Sequence, residues 1–253
     1  MKRSLLVGFC MLFALSAFAQ ETAREVFQQA ETRFQSGDYE VALQRYEALV
    51  RDYPFSEYVP DAQFRRAVVL YRLERYDSAL NVLRRVEARY RSTRFLPLVP
   101  FWKGVTFYRR ANYSQAEQEL QRFLDSSSRD TLRRQAWLYH ALTMLAQQRR
   151  DRAAESLESL FSEVDVAESE SYGLSLLLSL YIQDEDYERA VELYDRIQID
   201  AVDDRWRDNV RLYGAEALRA VDREEEALEN FWPESNHSGN TPLPRIKKPF
   251  SSR

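Results

Sequence analysis

Six alanines at intervals of 37 residues constrain this chain more than any other feature. They are Ala42, Ala79, Ala116, Ala153, Ala190 and Ala227, and the register runs without a slip. Three residues before each stand Tyr39, Tyr76, Tyr113, Arg150, Tyr187 and Glu224, aromatic in four of six. Four residues after come Tyr46, Leu83, Leu120, Leu157, Tyr194 and Phe231, large and apolar every time. Twelve residues before sit Ala30, Ala67, Gly104, Ala141, Leu178 and Ala215, small in five of six. A fixed period of this length marks one supersecondary unit repeated along the chain, each copy burying its apolar face on its neighbours.

Each unit reads as two helices. Ala42, Tyr46 and Leu49 follow at spacings of four and three, the apolar face of a helix over about Tyr39 to Tyr53. Gly37 permits the positive φ of a break before it, and the carboxylate of Asp38 is placed to cap the new helix. Pro54 ends it, because proline has no N–H for the helical ladder. Tyr58 to Leu73 then forms the first helix of the next unit, and the alternation continues to about Trp232. Only six glycines and eight prolines in 253 residues suit long helices with short connections.

The first helices carry two stripes. Phe27, Ala30 and Phe34 share a face, as do Phe64, Ala67 and Tyr71, and Phe101, Gly104 and Tyr108, the pattern of an inter-helix core. A second stripe lies about 120° away at 100° per residue. It runs through Asp61, Arg65, Val68 and Arg72, then Leu98, Trp102, Val105 and Arg109, then Gln135, Tyr139, Leu142 and Ala146.

The small residue, the aromatic, the alanine and the large apolar residue at these spacings resemble the tetratricopeptide repeat over roughly Ala23 to Trp232. That repeat is usually about 34 residues long. Here the added residues fall between units, as in the stretch YPFSEYVPDAQF, which resembles the bacterial envelope repeats of BamD and CpoB. The resemblance implies an all-α, right-handed superhelical solenoid of about six helix-turn-helix units. Arg150 in place of the aromatic and Leu178 in place of the small residue depart from the pattern.

Residues 1–19 read as a signal peptide. Lys2 and Arg3 precede an apolar run from Leu5 to Ala19 that closes on Ala17-Phe18-Ala19, a positive end, a short apolar core and an A-x-A cleavage site. Lipidation at Cys10 is the weaker reading, since Phe9 precedes it where a lipoprotein leader has a small residue. Cleavage before Gln20 would leave no cysteine, and therefore no disulfide or thiolate chemistry. Residues 20–232 form the repeat domain. Residues 233–253 hold four of the eight prolines and read as a disordered basic tail.

The search for chemistry is mostly negative. Net charge is −4, where a nucleic-acid binder carries a basic excess. His140 and His237 are far apart in sequence, and His140 reads as structural. No nucleophile–base, phosphate-loop or metal-ligand spacing appears, so neither catalysis nor a cofactor is expected. Asp203-Asp204 and Glu224-Glu225-Glu226 read as solvated or helix-dipole groups. The apolar run Tyr172 to Ile182 is too short to cross a membrane and reads as a core helix.

Some tetratricopeptide proteins hold a peptide's terminal carboxylate with Lys and Asn on successive first helices. Those positions here are Phe27 and Glu31, Phe64 and Val68, Phe101 and Val105, so that clamp is absent. The second stripe predicts instead an apolar groove of Val68, Leu98, Trp102, Val105, Tyr139 and Leu142, edged by Arg65, Arg72 and Arg109. Such a groove suits a protein segment with apolar anchors and some acidic residues. The competing reading packs Trp102 and Tyr139 against neighbouring helices. The sequence thus predicts a non-enzymatic periplasmic adaptor that binds a protein or peptide, and no nucleic acid, in an envelope assembly or division setting. An alternative makes the chain the partner-recruiting N-terminal arm of a larger envelope enzyme.

Overall fold

The computed structural model describes residues 21–126, 131–162 and 170–231. The leader, residues 1–19, and the tail, residues 233–253, lie outside the described residues. All regular structure among the described residues is helical. The pairs are α1 (Ala23–Gln35) with α2 (Tyr39–Asp52), α3 (Val59–Arg72) with α4 (Tyr76–Arg89), and α5 (Val99–Arg109) with α6 (Tyr113–Leu124). They continue as α7 (Thr131–Ala146) with α8 (Arg150–Phe161), α9 (Ser171–Gln183) with α10 (Tyr187–Asp195), and α11 (Asp204–Ala220) with α12 (Glu224–Phe231). The described residues form two compact units, which divide between Ser156 and Leu157.

The 37-residue register is realised to the residue. The second helices start at Tyr39, Tyr76, Tyr113, Arg150, Tyr187 and Glu224. Two residues before each start the backbone takes a positive φ, at Gly37, Glu74, Ala111, Gln148, Glu185 and Asp222. The next N–H closes the turn on a carbonyl five residues back: Asp38 to Arg33, Arg75 to Leu70, Asn112 to Phe107, and so on to Arg223 and Leu218, at 2.8–2.9 Å. This is the Schellman closure, a left-handed residue followed by a backbone bond to the last helical turn. Only the first of the six uses glycine.

The expected cap at Asp38 is corrected by the structure. Its carboxylate accepts no bond from its own helix; it takes hydrogen bonds from Arg33 at 3.0 Å and Ser36 at 3.3 Å. A basic group one turn back outcompetes a backbone N–H for the same carboxylate. Asn112 and Asp186, at the same repeat position, do cap their helices.

An aromatic pair clips each of the first three hairpins at its closed end. Phe34 meets Tyr39 at 5.8 Å between centroids, Tyr71 meets Tyr76 at 5.7 Å, and Tyr108 meets Tyr113 at 5.9 Å, with nearly identical tilts. Further in, Ala30, Ala42, Ala79, Ala116, Ala141 and Ala153 are wholly buried where helices cross. Gly104 on α5 fills the same role against Leu120 on α6. One charged group lies in this packing. The Lys103 side chain is 9% exposed and pairs with Glu87 at 3.0 Å and with Glu119, while Arg122 joins both carboxylates at 2.8 Å.

In the second unit, α9 is apolar nearly all round and buried along its length, as its sequence requires. Leu178 stands at the small-residue position and is wholly buried. In the last hairpin the close approach falls at Gly214, where an added Cβ would run into the Tyr194 ring, and its neighbour Ala215 is only half-buried. Asp203 caps α11, and Glu224, Glu225 and Glu226 occupy the first turn of α12.

Candidate functional site

The second stripe lies on α3, α5 and α7 of the first unit, together with Leu98 at the end of the short 3-10 turn Leu96–Leu98. The structure divides its residues into two groups. Val68 and Val105 are corrections: they are 2% and 1% exposed, inside the hydrophobic core. The expectation placed them on an open groove floor. A first helix in this packing touches its own second helix, the preceding second helix and the first helices beside it, so only a narrow stripe stays open. Leu98 packs half-buried on the same core, and Leu142 is half-buried.

Arg65 is engaged within the fold. Its guanidinium pairs with Glu31 of α1 at 2.9 Å and lies over the rings of Phe34 (5.4 Å) and Phe95 (4.6 Å). Glu31 also accepts from the hydroxyl of wholly buried Tyr46, whose pKa is raised by burial and by that carboxylate. Arg65 therefore ties α1, α2 and α3 together, and its cation–π contacts hold it against the surface.

Trp102 and Tyr139 sit at the repeat positions of Arg65, one and two units on, and make the same contact. Arg65 lies over Phe34, Trp102 meets Tyr71 edge-on at 5.4 Å, and Tyr139 meets Tyr108 edge-on at 5.6 Å. A residue of one first helix thus packs on the closing aromatic of the preceding hairpin, three times in succession. Trp102, Tyr71, Tyr108 and Tyr139 all remain only partly buried. The sequence pattern assigned Tyr71 and Tyr108 to the core. Their place in the hairpin-closing pair was the signal that they also reach this face.

Two arginines flank these rings. Arg72 is exposed and holds its guanidinium 6.0 Å from the Trp102 ring centroid. Arg109, also exposed, lies beside the Tyr71 phenol, which raises its already high pKa. Tyr139 lies beside the same pair, and its pKa is pushed up to about 12, by burial first and then by Tyr71. Arg109 and Tyr139 therefore keep their protons at neutral pH. Among the described residues neither Arg72 nor Arg109 forms an ion pair with a carboxylate, although most arginines of this unit that face a neighbouring helix do. The arrangement offers hydrogen-bond donors and positive charge beside aromatic edges; it contains no nucleophile with a base.

His140, on α7, is buried, and its Nδ1 lies 2.8 Å from the Ser156 hydroxyl. Burial lowers its pKa, against an opposing pull from Glu117. It is packed into the hairpin and stands apart from the open face.

Residues 27–92 match the family model of the tetratricopeptide repeat. The fold of the chain is that of tetratricopeptide solenoids. The C-terminal part of a repeat protein from Cytophaga hutchinsonii is 18% identical, with a TM-score of 0.62 over 81% of this chain and 77% of that one. MamA from Desulfovibrio magneticus RS-1, from residue 41 to its end, is 17% identical with a TM-score of 0.54, covering 68% of this chain and 91% of that one. YrrB, described as a tetratricopeptide protein with an unusual peptide-binding site, is 15% identical with a TM-score of 0.51, covering 83% and 92%. At these identities the likeness is one of fold. No protein of curated function matches the sequence. Proteins of this repeat fold generally act as non-enzymatic scaffolds for protein or peptide partners. No helix among the described residues is long and apolar enough to cross a membrane.

Proposed function

We propose that the chain is a non-enzymatic scaffold of the bacterial envelope, exported to the periplasm, which binds a segment of another protein on the open face of α3, α5 and α7. The observation that carries the binding face is the pair Arg72 and Arg109, set without carboxylate partners among partly buried Trp102, Tyr71 and Tyr139. Aromatic edges and arginines with their charge unanswered are the groups that supply most of the energy at protein interfaces. The peptide-binding site of YrrB on the same fold supports a peptide-like occupant. Export rests on the leader reading of residues 1–19, and the envelope setting on the resemblance of YPFSEYVPDAQF to BamD and CpoB repeats.

The test places a photo-crosslinking amino acid in the full chain within its native host, at position 102 or 139, and separately at exposed Arg85 on α4. Adducts to one protein from 102 and 139, but not from 85, support the face. Adducts from 85 alone move binding elsewhere. Export is read on the same material: the mature chain should begin at Gln20 or within a residue or two. An uncleaved cytosolic chain, or one beginning at a lipidated Cys10, sinks that part of the reading.

A further inference from the structure

Granting the binding face proposed above, we infer that its occupant is an extended acidic segment that sets two carboxylate side chains, four residues apart, on one face with an apolar side chain midway between them. The inference rests on how Arg72 and Arg109 are held.

The two arginines occupy the same position in successive repeats, at the ends of neighbouring first helices. Packed helices stand about 8–10 Å apart. In an extended chain alternate side chains share a face at about 3.3–3.4 Å per residue, so two carboxylates on one face with an apolar side chain between them stand four residues, about 13 Å, apart, a span that the long arginine side chains can meet. Between the arginines lie Trp102 and Tyr71 in edge-on contact, an apolar floor for the side chain in the middle.

Each arginine is pre-set for an anion. Arg109 lies beside the phenols of Tyr71, Tyr139 and Tyr76, which leave its charge in place. Arg72 is steered by the Trp102 ring face. A guanidinium held by neutral groups still has donors for a carboxylate, and its planar fork matches the two carboxylate oxygens. The carboxylate closest in sequence, Glu74 in the turn after α3, acts on Tyr76 but forms no ion pair with either arginine. The chain is acidic overall, at −4, so the arginines of this stripe select by local complementarity and not by bulk attraction.

The same groups could in principle stack on a single-stranded nucleic acid, which uses aromatic faces and arginine. Here the rings meet one another edge-on and half-buried, and two isolated arginines make a poor backbone track. The acidic peptide is the better match.

The experiment is selection of a displayed random dodecapeptide library on the whole exported chain, repeated on Trp102→Ala, on Arg72→Gln with Arg109→Gln, and on Arg109→Lys. Thermal unfolding must show that each variant is folded. The expected result is enrichment of Asp or Glu pairs four positions apart with an apolar residue midway between them. Synthetic winners should bind the double Gln variant about tenfold more weakly or worse. Arg109→Lys should recover only part of the loss, because a point charge lacks the fork. Winners that need Trp102 but show no acidic pairing, or that bind the double Gln variant unchanged, overturn this inference and leave the binding face standing. Winners indifferent to Trp102, or no winners at all, remove both. A deoxythymidine 15-mer that binds tightly and competes through the same arginines also overturns it.

Discussion

Gly104 on α5 faces Leu120 on α6 so closely that a Cβ built on the glycine would lie 2.6 Å from the leucine Cγ and 3.2 Å from its backbone nitrogen. Leu120 is wholly buried and has no free volume to turn into. Helix propensity alone favours Gly104→Ala by about 1 kcal/mol. Overpacking costs about 1–3 kcal/mol and should outweigh it. Gly104→Ala is therefore expected to lower Tm, and Ala116→Leu, at the wholly buried alanine of the same hairpin, to lower it further. A rise in Tm for Gly104→Ala would mean that the helices do not approach as described.

The six left-handed turn residues give a paired prediction. Ala111 has φ of 55° and Gly37 has φ of 81°. An L-residue in this region costs about 1–2 kcal/mol, partly offset by the extra entropy a glycine loses on folding, about 0.5–1 kcal/mol. Ala111→Gly should therefore stabilise by about 0.5–1 kcal/mol and Gly37→Ala should destabilise by a similar amount. Nothing lies within 4 Å of a Cβ on Gly37, so the second effect comes from the backbone alone. Urea unfolding of both variants checks the pair; shifts of the same sign would contradict it.

These turns also show how far the sequence could be followed. The alanine register gave every second-helix start because side-chain size at a crossing is written directly in residue type. Five of the six left-handed positions were invisible, since the Schellman closure is made by backbone bonds and holds Glu74, Ala111, Gln148, Glu185 and Asp222 without any glycine. On the candidate face, Trp102, Tyr139, Arg72 and Arg109 could be picked out by their angle from the core stripe. Val68 and Val105 share that angle yet are buried, because the neighbouring helices close over that part of the stripe and leave its end open. The commitment of Arg65 to Glu31 depends on a residue 34 positions away, which no local pattern reveals.

Lys103 and its carboxylates should dominate the acid sensitivity of the α4–α5–α6 packing. Burial tends to raise the Glu87 pKa, but Lys103 and Arg122 outweigh it and hold the carboxyl below its ordinary value. A depressed carboxylate contributes stability that is present above its unfolded pKa and is lost as pH falls through the folded one. Lys103→Met leaves Glu119 and Glu87 with Arg122 alone and should cost about 3 kcal/mol at pH 7, as for a broken buried pair. The gap between wild type and variant should narrow between pH 7 and about pH 3, as falling pH protonates Glu87. An equal gap at both pH values would show that lost packing, not charge, explains the cost.

His140 should impose a second, milder pH dependence at higher pH. Its folded pKa lies below the ordinary value of about 6.5, chiefly because burial disfavours the imidazolium. As pH drops below about 6.5 the unfolded chain takes up a proton that the folded one refuses, so stability falls with acidification. His140→Asn, which can keep a side-chain bond to Ser156, should flatten the slope of unfolding free energy between pH 7.5 and 5. An unchanged slope would assign the effect to other groups.

The open face makes a kinetic prediction once a partner is in hand. Trp102 is the largest ring on it and contacts Tyr71, Phe101 and the guanidinium of Arg72, so its removal takes away apolar area and the support of a cation together. Trp102→Ala should weaken binding by about 2 kcal/mol or more, mostly through faster dissociation. Arg72 and Arg109 are exposed, and exposed charges act mainly on encounter. Arg72→Glu with Arg109→Glu should slow association and reduce or invert its dependence on salt. Stopped-flow association at two ionic strengths, with surface-immobilised dissociation, separates the two effects. If both variants fold and the partner's rates are untouched, the aromatic succession on α3, α5 and α7 serves only to stack one repeat on the next.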